Sequence, residues 1–298
     1  MKRKWEKSKS GLTLTIPSII FVFSLLIYPI VYLFTLSFKE YSPLRSSEIK
    51  FVGLENYKWL FTSEQVGHSI WLTIVFTVSS VLVEVIISLF IAVLLSKLMI
   101  GTKTRTKSTG SKIFYSIFLL PFATPAVAAA IAWKMLLHPL FGPVNDILNK
   151  NIAWFTNYPM VSVVIVDAWK MIPMVLFLVL AAIMSIDPDQ FEAAKMDGAN
   201  GFQEFIYLTM PSIKSVLSVT VAFRAVDAFT KVFDVVYMTT GGGPGNKTEV
   251  FPLLIWKTAF SHLHFGKASA LAIVAIIISS LLGILLISQG KIKHGKSN

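Results

Sequence analysis

Four ionisable side chains interrupt one apolar stretch in the C-terminal half of this sequence, where charge is costly if the stretch crosses a membrane. Arg224, Asp227, Lys231 and Asp234 follow one another at intervals of three, four and three residues. On an α-helix this spacing places alternating charges along one face, so the stripe could neutralise itself and fix the helix in a bundle. The same groups could instead line a watery path for a polar solute or relay an ion.

Six polar and aromatic residues in two apolar stretches have the chemistry that binds sugars. Planar polar groups hydrogen-bond hydroxyls, and aromatic rings stack on C–H surfaces. We predict that they line a substrate pathway: Asp167, Trp169, Lys170, Asp227, Phe233 and Tyr237. Asp167 and Lys170 are three residues apart and can pair on one helix face. Glu84, alone in its own stretch, is expected to be satisfied by a neighbouring helix rather than to be catalytic.

Catalytic, metal and cofactor chemistry is not expected within this chain. Cysteine is absent, which removes disulfides, thiolate catalysis and Cys-ligated zinc. His262 and His264 are two residues apart and would point in different directions on a helix, so no metal site is predicted. The run Gly241–Gly245 lacks the Lys-Ser/Thr ending of a phosphate-binding loop, and no nucleotide site is predicted there.

The composition identifies the class of protein. Of the 298 residues, 54% are hydrophobic and only 14% are charged, against roughly 25% charged residues in soluble domains. A soluble enzyme and a disordered chain are therefore excluded, and a membrane protein is predicted. The net charge of +11 lies in short flanks between apolar runs, which is typical of contacts with lipid head groups rather than with nucleic acid.

Six apolar stretches each exceed the ~18 residues that indicate a transmembrane helix. They cover about residues 12–38, 70–95, 113–133, 160–186, 216–237 and 268–288. The predicted fold is therefore all-α and polytopic, with six transmembrane helices. Prolines are expected to kink the first, third and fourth helices: Pro17, Pro29, Pro121, Pro125 and Pro173.

The distribution of basic residues predicts the orientation of the helices. The N-terminal tail and the 97–112 loop carry five Lys or Arg each, and the C-terminal tail carries three. The positive-inside rule makes these segments cytoplasmic. The 39–69 loop balances four basic residues with four acidic ones and is predicted to face out. The segment 187–214 is then cytoplasmic.

That cytoplasmic segment reads as a helix-turn-helix elbow. Asp189 is a plausible N-cap for a short helix over 190–196, and Gly198 supplies a tight turn. A second short helix is predicted over 202–208, and the next span is expected to begin after Pro211.

The ordered residues of this elbow resemble the EAA loop of the membrane subunits of binding-protein-dependent ABC importers. The matching positions are Glu192, Ala193, Ala194, Asp197, Gly198, Ala199 and Pro211. Two further segments resemble the carbohydrate-importing branch of that family: FVGLENYKWLF at 51–61 and the glycine-rich TGGGPGNKT at 240–248.

The resemblance implies a type I ABC importer permease fold and a sugar or oligosaccharide as cargo. The apolar stretches and the basic residues predict a cytoplasmic tail at 1–11, a first helix at 12–38 and a cytoplasmic tail at 289–298. The resemblance identifies 70–288 as the importer transmembrane domain, with its coupling loop at about 187–211. The coupling residues would be Glu192, Ala193, Ala194, Asp197, Gly198 and Ala199. The glycine-rich loop would be either a flexible turn or a docking contact for a solute-binding protein, with these contact residues: Gly241, Gly242, Gly243, Pro244 and Gly245.

The partners implied are a second, homologous permease, two copies of a cytoplasmic ATPase that binds the ATP, an extracytoplasmic sugar-binding protein and membrane lipid. The location implied is a bacterial or archaeal plasma membrane, with both termini cytoplasmic. Three alternatives stay open: the same importer class with glycerol phosphate or a polyamine as cargo, a stand-alone secondary transporter or channel, and an intramembrane enzyme. The last is weakened because no His, Cys or paired-carboxylate cluster has catalytic spacing.

Overall fold

A computed structural model describes residues 9–43, 46–101 and 117–291 of the chain. Most of the two predicted tails, the basic run from residue 102 on and the first residues of the third apolar stretch lie outside these ranges. The chain divides into two compact units. The first unit runs to residue 64 and includes 255–274, and the second comprises 65–254 and the residues from 275 onward.

The first unit begins with a long apolar helix that contains a wider, π-helical turn. Up to residue 64, the elements of the first unit are α1 (Lys9–Val22), a π turn (Phe23–Ile27), α2 (Tyr28–Ser37), β1 (Lys39–Ser42), β2 (Ser46–Phe51) and α3 (Glu55–Thr62). The π turn ends two residues before Pro29, whose ring clashes with the carbonyl four residues back in a regular helix. The wider turn is the local response of the backbone to that proline.

The β1–β2 hairpin was not predicted from the sequence. Its strands pair antiparallel, with Lys39 opposite Phe51. The buried side chain of Asn56 holds the hairpin to the preceding helix, since its Nδ2 donates to the carbonyls of Ser37 at 2.8 Å and Lys39 at 2.9 Å. Gly266 also approaches β1 closely, because a Cβ placed there would overlap the Lys39 carbonyl.

The second unit contains most of the long helices. In chain order the elements are α4 (Glu64–Gly101), α5 (Ile117–Ala123), α6 (Ala126–Leu136), α7 (Pro143–Leu148), α8 (Trp154–Asn157), α9 (Pro159–Met184), α10 (Pro188–Met196), α11 (Gly201–Gln203), a π turn (Glu204–Thr209), α12 (Met210–Thr239), α13 (Phe251–Trp256), a π turn (Lys257–Ser261) and α14 (Phe265–Lys291). The end of α13, the π turn Lys257–Ser261 and the start of α14 belong to the first unit. Helix α9 is the most buried of the long apolar helices.

Within the described ranges, five helices are long and apolar enough to cross a membrane, and six spans result if the bent pair α5–α6 counts as one. The stretch predicted as a third span is not a single straight helix, because the chain bends by 108° between α5 and α6. Pro125 lies in the break, as the N-cap residue of α6, and has no N–H to continue the ladder of α5. The prolines therefore produce a full break here, whereas α9 continues through Pro173.

The short helix predicted over 202–208 does not end before the next span. Helical structure runs without a break from Gly201 to Thr239. Pro211 lies in the first turn of α12 and follows the π turn Glu204–Thr209, as Pro29 follows the first π turn. The Ser212 hydroxyl donates to the Leu208 carbonyl at 2.7 Å and satisfies an acceptor in the widened turn. Pro211 therefore widens the helix instead of ending it.

Candidate functional site

A buried cluster of charged side chains joins three helices of the second unit. Glu84 comes from α4, Asp167 from α9, and Arg224 and Asp227 from α12. Arg224 is 1% exposed and Glu84 is fully buried. Charges this deeply buried must be paired and hydrogen-bonded to be tolerated.

Arg224 is the centre of this charge cluster. Its Nε donates to Glu84 Oε2 at 2.7 Å and its Nη2 to Glu84 Oε1 at 2.9 Å, a two-pronged contact that fits the planar guanidinium. Nη1 donates to Asp227 Oδ2 at 2.9 Å, and Nη2 also donates to Asp167. Ser80, one turn before Glu84, donates to Asp167 Oδ2 at 2.7 Å. One guanidinium thus holds carboxylates from three helices.

The pairing differs in two respects from the pattern read in the sequence. Asp167 pairs with Arg224 instead of Lys170, whose Nζ lies 5.8 Å from the centroid of the Phe122 ring. The stripe on α12 neutralises itself only in part: Lys231 reaches Asp227 at 2.6 Å, whereas Asp234 is exposed and takes no part in the salt bridges of the described cluster. The expectation that a neighbouring helix satisfies Glu84 is confirmed.

The aromatic residues predicted to line the pathway lie nearer the surface than the two aspartates. Phe233 and Tyr237 stack with ring centroids 5.2 Å apart, and Tyr237 is 42% exposed. Trp169 is 37% exposed and meets Trp133 edge to face at 5.9 Å. Asp167 and Asp227 both contact Arg224, while the aromatic residues form two ring pairs, one stacked and one edge to face. Trp133 was missed because nothing in its apolar stretch marks it.

The elbow between α9 and α12 is held by local hydrogen bonds. Asp187, rather than Asp189, is the N-cap of α10, because its side chain accepts from the Asp189 N–H at 3.1 Å. Gly198 has a φ of +79°, which a residue with a Cβ rarely adopts. Asn200 and Gln203 then form a reciprocal capping box at the start of α11. The predicted turn at Gly198 is present. The N-cap of α10 lies two residues earlier than expected, at Asp187 instead of Asp189.

The elbow presents a mixed charged and apolar surface to its surroundings. Phe191 is 4% exposed and packs into the core formed by α9 and its neighbours. Glu192, Asp197 and Gly198, three of the predicted coupling residues, are exposed. Met196 is 88% exposed and Phe202 is 73% exposed. Exposed large apolar side chains next to charges are typical of a protein-binding surface.

The glycine-rich segment after α12 is an ordered loop. Gly241, Gly242 and Gly245 have positive φ, and the Gly243–Pro244 peptide bond is cis. The fully buried Thr248 shares a hydrogen bond of 2.7 Å with the Thr240 hydroxyl. These contacts leave Gly241, Pro244 and Gly245 exposed on the rim of the loop.

The sequence matches a protein family and several of its members. The family model described as "binding-protein-dependent transport system inner membrane component" matches residues 92–292. The chain is 30% identical to the trehalose/maltose transport system permease protein MalF of Thermococcus litoralis, over 98% of this chain and 97% of that protein. It is 29% identical to the sulfoquinovosyl glycerol transport system permease protein SmoG of Agrobacterium fabrum, over 88% of this chain and 84% of that protein.

The fold matches a solved structure over its full length. That structure is a bacterial alginate ABC transporter in complex with an alginate pentasaccharide-bound periplasmic protein. One of its chains superposes with a TM-score of 0.78 at 21% identity, covering 100% of both chains. The all-α importer permease fold expected from the sequence is thereby confirmed.

Proposed function

The chain belongs to the family of binding-protein-dependent transport system inner membrane components, and we propose that it forms half of the membrane pathway of an ATP-driven importer for a sugar or oligosaccharide. It is a multi-pass membrane permease of the ABC transporter class. The cargo is inferred from relatives named as trehalose/maltose and sulfoquinovosyl glycerol permeases. The residue types along α9 and α12 support the same chemistry.

We propose that the elbow over 187–211 couples this chain to a cytoplasmic ATPase. The observation that carries this assignment is an exposed surface of Glu192, Met196, Asp197 and Phe202 on an elbow anchored by the buried Phe191. Small side chains at Ala193 and Ala194 allow a partner to approach closely. Closure of two ATPase subunits would draw the elbow with it and move the ends of α9 and α12. ATP binds to the ATPase, and no catalytic residue is assigned in this chain.

Reconstitution tests this proposed function. Proteoliposomes would contain the chain with its co-purifying permease and ATPase, with the binding protein on one side and ATP on the other. We expect uptake of labelled trehalose or maltose that requires both ATP and the binding protein. Uptake driven by an ion gradient in the absence of ATPase would contradict the proposal and favour a secondary transporter. Uptake of glycerol phosphate or a polyamine in place of sugar would contradict only the cargo.

The glycine-rich loop is proposed to contact the sugar-binding protein. Its rim of Gly241, Pro244 and Gly245 is exposed, while Thr248 fixes the loop from within. This role requires the loop and the 39–69 segment to face outward and both termini to be cytoplasmic, as the distribution of basic residues predicts.

Thr248→Val is expected to weaken the response to the binding protein. Valine has a similar shape but no hydroxyl. It cannot form the hydrogen bonds of the Thr248 hydroxyl with the Thr240 hydroxyl, at 2.7 Å, and with the Gly243 carbonyl, at 3.1 Å. Loss of a buried hydrogen bond costs about 1 kcal/mol, and we expect several-fold less binding-protein stimulation of ATP hydrolysis. Thr230→Val, which loses an exposed hydroxyl bonded within its own helix, is the control. Equal stimulation in the Thr248 variant and the control would contradict this role.

A further inference from the structure

A small polar cavity lies in the first unit, and none of its lining residues belongs to the charge cluster, the elbow or the glycine-rich loop. Its volume is about 260 Å³, and it is lined by the hairpin, by α3 and by the start of α14. Pockets for drug-sized ligands are ~300–1,000 Å³, so this cavity accepts an occupant about the size of one sugar ring.

One buried hydroxyl in this cavity has no partner in the described part of the chain. Ser42 is 5% exposed and lines the cavity, and its Oγ makes no hydrogen bond with any described residue. Leaving a buried polar group unsatisfied costs stability, so such groups normally meet a protein group, a water or a ligand. The hydroxyl is therefore an unsatisfied polar group in the wall of the cavity, and an occupant that carries hydrogen-bonding groups would satisfy it once the serine side chain turns toward it.

The rest of the lining defines the chemistry of that occupant. Glu40 and Glu55 supply acceptors, Lys267 supplies a donor, and Trp59 supplies an aromatic ring. The Lys267 ammonium lies 4.5 Å from the centroid of the Trp59 ring, and a second cation beside it would be repelled. Two carboxylates against one ammonium disfavour an anion. No group of three metal-ligating side chains occurs among the described residues.

We propose that this cavity binds a neutral polyol, specifically one pyranose ring, as a second saccharide site distinct from the pathway residues on α9 and α12. Hydrogen-bond donors and acceptors bind sugar hydroxyls, and an indole ring beside them stacks on the C–H face of a sugar. The site lies in the segment that the charge distribution assigns to the outside, and its place in sugar import rests on the proposed function.

Tryptophan fluorescence of the full chain in lipid nanodiscs tests the site, together with any subunits that co-purify and without ATP or binding protein. The probe is methyl α-glucopyranoside, with inorganic phosphate and tetramethylammonium as charged comparisons. We expect a saturable change with the glucoside alone, absent in Trp59→Phe. Ser42→Ala should weaken the apparent affinity by about 3–10-fold, the effect of one lost hydrogen bond. Ser24→Ala, whose hydroxyl is exposed and bonded to its own helix, should match the wild type.

Three outcomes would overturn the site: no saturable change in the wild type, equal affinities in the wild type and Ser42→Ala, or a response to phosphate or tetramethylammonium instead of the glucoside. Thermal unfolding of each variant separates lost binding from lost folding. This assay contains neither ATP nor binding protein, so its failure is independent of the proposed function. If the chain imports sugar but does not bind it in this cavity, only the cavity proposal is wrong. If the chain binds sugar in this cavity but shows no ATP-driven import, only the importer function is wrong.

Discussion

Arg224→Met is expected to destabilise the chain by about 3–5 kcal/mol, the effect of breaking a buried ion pair by removing one partner. Arg224 satisfies Glu84, Asp167 and Asp227 at once. Without it, three carboxylates from three helices would face one another in the bundle interior, with Lys231 contacting only Asp227. The measurement is thermal unfolding of the purified protein in lipid nanodiscs, with the amount inserted in the membrane as a second readout.

Two matched variants separate charge from geometry in this cluster. Lys231→Met also removes a cation that contacts Asp227, but the Lys231 side chain is 69% exposed, so its loss should cost less than about 1 kcal/mol. Arg224→Lys keeps the charge but loses the two-pronged contact with Glu84, and its stability should fall between the other two. Adding Glu84→Gln to Arg224→Met should recover part of the loss. Wild-type stability in Arg224→Met would show that the cluster does not hold the helices together.

Gly198→Val is expected to reduce sugar uptake at least tenfold while the chain inserts into the membrane normally. Gly198 has a φ of +79°, and a Cβ added there would meet nothing within 4 Å. The effect therefore arises from the backbone alone: the left-handed conformation costs an L-residue about 1–2 kcal/mol, and a β-branched side chain fits it worst. The turn would change shape and misplace Glu192 and Asp197 relative to the ATPase.

A glycine-to-valine substitution outside the elbow, at Gly67, provides the control for Gly198→Val. Gly67 lies in α4 with open space around it and ordinary helical geometry, so Gly67→Val should transport normally. Gly198→Asn should keep part of the uptake, because asparagine tolerates the left-handed region better than valine. ATP-driven uptake in proteoliposomes, normalised to inserted protein, gives the comparison. Normal uptake by Gly198→Val would contradict the coupling role.

The sequence predicted the faces of helices better than it predicted their neighbours. Spacing placed Arg224 and Asp227 on one face, since helical periodicity depends on nearby residues. Two partners of Arg224, Glu84 and Asp167, are 140 and 57 residues away in the sequence, and no local pattern indicates which helices lie side by side. Ser80 could have been included from its position one turn before Glu84. Asp167 was assigned to the near residue Lys170 because only the near residue is visible in the sequence.

Local backbone adjustments account for most of the remaining differences. Pro211 was expected to separate two helices, but a π turn absorbs the clash and the helix continues. Pro125 breaks the third span completely, although the same residue type in α9 does not. The hairpin was missed because its two short strands, KEYS and SSEIKF, are mostly polar and do not alternate strictly between apolar and polar residues.

Co-purification from the native membrane tests most directly whether this chain is an importer permease coupled through its elbow. The tagged wild type would be compared with a variant carrying Glu192→Ala and Gly198→Val, and the bound proteins identified by mass spectrometry. We predict that an ABC ATPase and a second permease co-purify with the wild type, and that the ATPase is lost from the variant. A well-folded wild-type preparation with neither partner would contradict the assignment, and equal recovery of the ATPase by both forms would place the coupling contact outside the elbow.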